Sequence, residues 1–344
     1  MPYTKQYQFL FPVLAICLVL LFVANLSLGS VSIPFTEVVT TLTGGEAARS
    51  SWEYIIMHYR LPKAVTAIIV GMGLSLSGLL MQTLFRNPLA GPYVLGLSSG
   101  ASLGVAFVIL GAGFLPGFFG SIFLSAYGII LAAILGSFVV LLAVLLVAQR
   151  LKDTMAILIV GLMFGSFTGA IVSVLTYFST AQQLQKFTFW AMGSLGSISW
   201  KNIIILAIAC FAGMIMAATC IKPLNALLLG ERYAKSLGIN FNRIRLIIIL
   251  ATSLLAGSIT AFAGPIAFIG LAVPHITKLL FKTSNHLVLF WATLLTGGIV
   301  LLICDTVTQL PGSDMTLPVN AVTSIIGAPV VIWLLLKKRK GVYS

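Results

Sequence analysis

Arg60 and Lys63 stand three residues apart in the stretch Arg60-Leu-Pro-Lys63. That spacing puts both cations on one face of a helix. There they could hold a carboxylate presented from outside, or simply extend toward a membrane–water interface as long basic side chains do. Covalent chemistry has less to work with. The acids are Glu37, Glu46, Glu53, Asp153, Glu231, Asp305 and Asp314; the histidines are His58, His275 and His286; the cysteines are Cys17, Cys210, Cys220 and Cys304. No Cys-x-x-Cys pair occurs and the histidines fall in separate segments, so neither a disulfide framework nor a metal site is expected. His275, directly after Pro274, reads as a buried or capping histidine. No acid–histidine constellation converges as an intramembrane enzyme would need, and no Gly-x-x-x-x-Gly-Lys-Ser/Thr segment could cradle ATP. No catalytic residue and no cofactor are expected.

These side chains are scattered along a chain of 344 residues that is 59% hydrophobic and 8% charged, with a mean hydropathy of +1.11. Soluble domains carry about 25% charged residues, so the surplus apolar surface must face lipid. Windows free of Asp, Glu, Lys and Arg cover residues 6–36, 64–85, 87–149, 154–185, 202–221, 246–277, 283–304 and 315–336. A helix needs about 20 apolar residues to cross a bilayer. The window 87–149 therefore holds two helices, broken near Gly111-Ala-Gly-Phe-Leu-Pro-Gly117. The first run, from Phe9 to about Leu28, exceeds the roughly 7–15 residues of a signal-peptide core and is expected to be a spanning helix.

There are nine spans if 246–277 is one helix and ten if Gly264-Pro265 divides it. Cytoplasmic loops concentrate Lys and Arg. Ten spans place the tail Lys337–Lys340 and most other basic residues inside, leaving Arg49, Arg60, Lys63, Lys186 and Lys201 outside. Nine spans give almost no asymmetry. The expected fold is thus all-α: one transmembrane domain over residues 1–344, about ten spanning helices, both termini cytoplasmic. The net charge of +13 reflects topology, not nucleic-acid binding, since no basic stripe is long enough to track phosphates.

Small residues recur at helical spacing. Gly161, Gly165, Gly169 and Ser173 lie four apart; Gly128, Ala132 and Gly136 form a second stripe, and Gly71, Ser75 and Gly78 a third. Such stripes let helix backbones approach closely, and the first could instead leave room for a solute along a translocation path. No acid sits deep in an apolar window, whereas an ion-coupled carrier commonly uses an intramembrane carboxylate; energy is expected to enter from elsewhere. The basic segment 222–245 contains Leu229, Tyr233, Ala234 and Leu237 at helical spacing, closed by Gly238 as a helix cap. It reads as a short amphipathic helix outside the bilayer, lying on the membrane surface or seated in a partner's groove.

Several segments together give a specific resemblance. Arg60-Leu-Pro-Lys63, Gly78, Gln82, Arg86-Asn-Pro-Leu-Ala90, Leu95-Gly-Leu-Ser-Ser-Gly-Ala101, Trp190-Ala-Met-Gly-Ser-Leu195, Leu229-Gly-Glu to Leu237-Gly238, Gly264-Pro-Ile-Ala-Phe-Ile-Gly-Leu-Ala-Val-Pro-His275 and Leu317-Pro-Val to Ile326-Gly-Ala-Pro329 occur in order. Across residues 55–336 the chain resembles the FecCD family, the permeases of iron-chelate, haem and vitamin B12 ABC importers. The resemblance implies an inverted-repeat permease fold of the vitamin B12 importer type in a prokaryotic plasma membrane. It implies a homodimer with a central path, two copies of a separate cytoplasmic ABC ATPase and an extracytoplasmic substrate-binding protein. It places that protein's acids on Arg60 and Lys63, and the ATPase contact at Gly230, Glu231, Ala234, Leu237 and Gly238. Gly161, Gly165, Gly169 and Ser173 become candidates for the path.

Four positions depart from the family pattern. Lys63 stands where an arginine is usual, Gln309 replaces the arginine of Asp-Thr-x-x-Arg, Asn320 replaces the glycine of Leu-Pro-Val-Gly, and Thr316 replaces the acid that often precedes it. Ala90-Gly-Pro to Gly96-Leu97 also echoes Ala263-Gly-Pro to Gly270-Leu271, five spans apart, an odd offset of the kind inverted repeats require. An ion-coupled secondary transporter or channel is the alternative; uptake that survives ATP depletion but collapses with an uncoupler would favour it.

Overall fold

A computed structural model of the chain describes residues 3–111, 124–150, 154–196, 198–310, 313 and 315–340. Its helices are α1 (Tyr3–Ser27), α2 (Phe35–Leu42), α3 (Ser50–Ile55), α4 (Leu61–Leu84), α5 (Leu97–Ile109), α6 (Ala126–Arg150), α7 (Thr154–Tyr177) and α8 (Ala181–Ala191). There follow α9 (Trp200–Thr219), α10 (Ile221–Leu227), α11 (Glu231–Ser236), α12 (Phe241–Ala263), α13 (Ile269–Phe281), α14 (His286–Thr308) and α15 (Val319–Lys340). Among the described residues seven are long and apolar enough to cross a membrane, within Phe9–Ser27, Ser50–Leu84, Ala126–Val147, Ala156–Tyr177, Trp200–Thr219, Phe241–Ala263 and His286–Thr308. Three shorter apolar helices, Leu97–Ile109, Ile269–Phe281 and Val319–Trp333, fill the remaining windows. The break near Gly111–Gly117 lies, beyond Gly111, outside the described residues, but α5 and α6 stand on either side of it as two helices.

By its contacts the chain forms two compact units: Met1–Leu79 with Ser194–Ala207 and Ala267–Ser344, and Leu80–Gly193 with Ile208–Ile266. In the first, α4 packs against α13 and α14 through glycine. A Cβ on Gly71 would overlap the carbonyl of Gly297, and one on Gly297 would overlap that of Gly71. Gly78 closes onto the carbonyl oxygen of Gly270. That oxygen has lost its helical donor, because the residue four positions on is Pro274, which has no N–H; the glycine backbone supplies a close Cα–H contact instead. Gly78→Ala is expected to cost more than the roughly 1–3 kcal/mol of an overpacked core that can adjust its rotamers, because its Cβ would meet backbone that cannot rotate away. The check is a lowered thermal midpoint in fluorescence-detected size exclusion.

In the second unit α5 is clasped by α6. Gly100 faces the Gly136 carbonyl, Gly104 faces that of Ala132, and Ser137 Oγ donates to the Leu97 carbonyl at 3.0 Å. Ala101, Val105, Ala106, Ile109, Leu110, Ala133 and Ala261 make a buried cluster there. The stripes Gly71/Ser75/Gly78 and Ala132/Gly136 are therefore packing seams.

The two Ala-Gly-Pro segments are built alike, except that the first carries a 3-10 turn, Pro92–Leu95. Each runs through a left-handed residue, Gly96 (φ 74°) in one and Phe268 (φ 66°) in the other, into a helix of 13 residues. Thirteen residues rise only about 20 Å, short of the ~30 Å hydrocarbon core, so each is a half-helix preceded by irregular backbone. Such backbone persists at membrane depth only when its polar groups find protein partners. Ile266 N–H donates to the Tyr93 hydroxyl at 3.4 Å, and Ala267 N–H to Asn320 Oδ1 at 3.0 Å. Asn320, a departure from the family pattern, thus satisfies the break. A Cβ on Gly327 would strike Phe268, so that glycine makes room for the left-handed phenylalanine.

Candidate functional site

The helix carrying Arg60 starts at Ser50, well before the apolar window at 64, because Glu53, Arg60 and Lys63 interrupt the window without interrupting the helix. Residues Ile56–Arg60 form a π turn one residue short of Pro62, whose missing N–H leaves the regular ladder one bond short. Wide turns of this kind often mark functional positions, and this one ends on Arg60.

Arg60 is buried. Its Nη1 donates to the carbonyl oxygens of Leu26 (2.7 Å) and Ser27 (2.9 Å), and its Nη2 to that of Val31. Leu26 and Ser27 close α1, where carbonyls lack intrahelical donors and the helix dipole is negative. Gly29 leaves space for the guanidinium; a Cβ there would lie 2.6 Å from Nη2. An arginine has five N–H donors, and three are spent on these carbonyls. Among the described residues no carboxylate pairs with it.

Lys63, one turn on, has a different environment. Its Nζ lies 3.1 Å from Asp305 Oδ1; the lysine side chain is 20% exposed and the aspartate 1%. Asp305 Oδ2 accepts from Asn25 Nδ2 at 3.0 Å and from Gln309 Nε2 at 3.1 Å. Asn25 Nδ2 also donates to Thr306 Oγ1 at 2.9 Å. Asp305 is therefore a buried carboxylate shared by α1, α4 and α14, with one cation to balance it. Arg60 and Lys63 meet at a cavity of about 360 Å³, lined also by Val31, Tyr59, Gln309 and Thr316. The expected pair shares a site, but its members are not equivalent. Sequence reasoning missed Asn25; an amide near the end of an otherwise apolar α1 was the available signal.

The segment 222–245 is shorter in helix than its spacing suggests. α11 holds six residues, entered through Gly230 at φ 109°. Gly238, at φ 79°, ends it as expected: its N–H reaches the Lys235 carbonyl at 3.0 Å and that of Ile239 reaches Ala234 at 3.2 Å, the paired bonds of a Schellman cap. The four apolar residues do not share one face as their spacing implied. Ala234 is buried, whereas Leu229, Tyr233 and Leu237 are exposed. The helix is too short for the pattern to close, leaving three apolar side chains around one tip. The backbone of Glu231 opens α11; its side chain lies outside those described. Arg86 Nη2 donates to the Leu227 carbonyl at 3.4 Å, tying this segment to the end of α4.

Along α7 the small-residue stripe splits. A Cβ on Gly161 would overlap the Val94 carbonyl, so that glycine is a packing contact. One on Gly165 would meet Ser99 Oγ at 3.4 Å, an ordinary contact, and one on Gly169 would meet nothing within 4 Å. Ser173 is exposed, its hydroxyl bonded to the Gly169 carbonyl at 3.0 Å. No group of three His, Cys, Asp or Glu side chains that could hold a metal occurs among the described residues.

Comparison with known proteins places this architecture. Residues 17–337 match the FecCD transport family. The vitamin B12 import system permease protein BtuC of Salmonella typhi is 38% identical over 297 residues, covering 86% of this chain and 88% of that protein. Its namesake in Klebsiella pneumoniae subsp. pneumoniae is 38% identical over 296 residues, covering 86% of each. A solved inward-facing structure, described as of the metal-chelate ABC transporter type, aligns with a TM-score of 0.83 at 30% identity over 96% of this chain and 99% of that one. PsaBC from Streptococcus pneumoniae in complex with Fab shares the fold, with a TM-score of 0.53 at 14% identity over 82% of this chain and 93% of that one.

Proposed function

We infer that this chain, which belongs to the FecCD transport family, is the membrane-spanning permease subunit of an ATP-binding-cassette importer that carries an iron chelate, haem or cobalamin into the cell. The observation that carries the reading is its identity of 38% to vitamin B12 import permeases over nearly the whole length of both proteins. The cargo crosses unchanged, and a separate subunit hydrolyses ATP.

The permease works as a homodimer in the plasma membrane, with both termini in the cytoplasm. Two ATPase subunits seat against the exposed tip formed by Leu229, Tyr233 and Leu237, around Gly230, Glu231, Ala234 and Gly238. A short helix held at both ends by left-handed glycines moves as a unit, and Arg86 links that movement to the end of α4. On the other side, a binding protein presents acidic side chains to the cavity at Arg60 and Lys63. Closure of the ATPases rocks α7 and α15 and alternates access to a path between subunits, with the Gly165–Ser173 face of α7 along it.

The test is uptake of labelled ferric siderophores, haem and cobalamin in cells lacking the gene, with and without complementation. Loss of one cargo's uptake, restored by the gene and abolished by ATP depletion, is the expected result. Uptake that persists without ATP and collapses with an uncoupler would transfer the chain to ion-coupled carriers.

A further inference from the structure

Lys5, Lys282, Lys337, Lys338, Arg339 and Lys340 come together at one end of the first unit. α13 ends at Phe281, whose ring lies 5.1 Å from that of Phe11 on α1. Lys282 follows directly; it is exposed and caps α13 at φ 47°. Lys5 lies six positions before Phe11, in the first turn of α1. α15 reaches the same level. In the chain α14 runs back between α13 and α15, so those two share a direction, and Gly327 packs on Phe268. Lys282 stands fourteen positions beyond Phe268, and Lys337 to Lys340 stand ten to thirteen beyond Gly327, all about 15–21 Å along their helices. α15 stays helical through all four basic positions, and successive positions step about 100° around a helix, so the four encircle it. Residues 1–36, 276–304 and 315–344, which carry this end of the unit, contain no Asp or Glu.

We propose that this end of the unit binds anionic phospholipid, with headgroup phosphates at these cations and acyl chains against the apolar side chains beside them. Phe9, Val13, Leu280, Leu287 and Trp291 are exposed there, and little of the α1 span is buried, so the basic cluster borders a surface that faces lipid. Trp291, in the second turn of α14, is a residue type that settles at the membrane–water interface. Juxtamembrane clusters of Lys and Arg attract anionic headgroups, and the attraction fades within a Debye length. The usual preference of cytoplasmic loops for Lys and Arg accounts for each charge singly. It does not account for three helices delivering theirs to one level with no acid among them. An acidic soluble partner would meet the charges and leave the neighbouring apolar side chains uncovered, whereas a phospholipid covers both. The proposal needs only that the chain spans a membrane and is independent of cargo and energy source.

The experiment places the full chain in phosphatidylcholine vesicles that contain a minor fraction of brominated phosphatidylglycerol or, as control, brominated phosphatidylcholine. Bromine quenches a nearby indole, and the difference between wild type and Trp291→Phe isolates the quenching at Trp291. Phosphatidylglycerol is expected to be favoured at least about threefold over phosphatidylcholine at that site, as several basic residues beside an anionic headgroup require. Replacing Lys282, Lys337, Lys338, Arg339 and Lys340 together by Gln is expected to bring the ratio to about one, and replacing the four lysines by Arg to preserve it. Raising NaCl to about 1 M, where the Debye length is about 3 Å, is expected to abolish the preference in the wild type. Should the neutralised chain misfold, this salt arm decides the matter on wild-type protein alone. A wild-type ratio near one, or a ratio that survives neutralisation or salt, overturns the proposal. If neutralisation leaves the lipid ratio unchanged and weakens assembly with the ATPase instead, the cations dock on protein and the proposal is likewise overturned.

Discussion

Lys63→Met is expected to destabilise the folded permease by about 3 kcal/mol, the low end of the cost of stripping one partner from a buried ion pair. The low end applies because the lysine stem is partly exposed, so some of its charge is already solvated. The loss falls on Asp305, a buried residue left with two amide donors and no cation. Amides from Asn25 and Gln309 can orient a carboxylate, but they do not balance its charge. Asp305→Asn in the same chain is expected to return most of that stability, because a neutral amide can still pair with Asn25 and Gln309. The measurement is a double-mutant cycle on thermal midpoints of purified permease in one detergent. A single variant as stable as wild type would mean that Asp305 is held by its hydrogen bonds alone.

That prediction depends on contacts between residues far apart in sequence, and this sets what was legible beforehand. Helix existence was readable, since each apolar window contains a helix and Gly264-Pro265 does divide 246–277. Gly238 was readable as a cap because a left-handed terminus is a local property. The seams at Gly71, Gly78 and Gly136 follow from spacing on one helix, although their partners Gly297, Gly270 and Gly100 do not. The inequality of Arg60 and Lys63 was not readable. It is decided by Asp305 and Asn25, which lie 280 positions apart, and spacing on α4 treats both cations alike. Similarly, the role of Asn320 is set by the N–H of Ala267, 53 positions away, from which its side chain accepts. The helix start at Ser50 was hidden because hydropathy windows stop at charges, whereas helices continue through charges that find carbonyls or water.

The stripe on α7 gives the second large effect, and there one spacing covers two physical roles. Gly161→Leu is expected to reduce the yield of folded permease sharply, since its Cβ would enter the Val94 carbonyl and meet Leu95 Cα at 2.9 Å. Backbone on both sides cannot move aside, so the cost exceeds the roughly 1–3 kcal/mol of an overpacked core that can adjust its rotamers. Gly165→Leu, one turn further on, meets only a serine side chain at ordinary contact distance. It is expected to assemble with the ATPase at wild-type levels and, on the proposed path, to lose at least about tenfold in uptake, because a branched side chain would fill space proposed for the cargo. Gly169→Leu is expected to do the same with still less effect on folding, having open space around its Cβ. The three variants therefore separate packing from passage on one helix, read by size-exclusion yield and by uptake of the cargo. Wild-type uptake in both Gly165→Leu and Gly169→Leu would place that face against lipid, and the path would have to run along another helix.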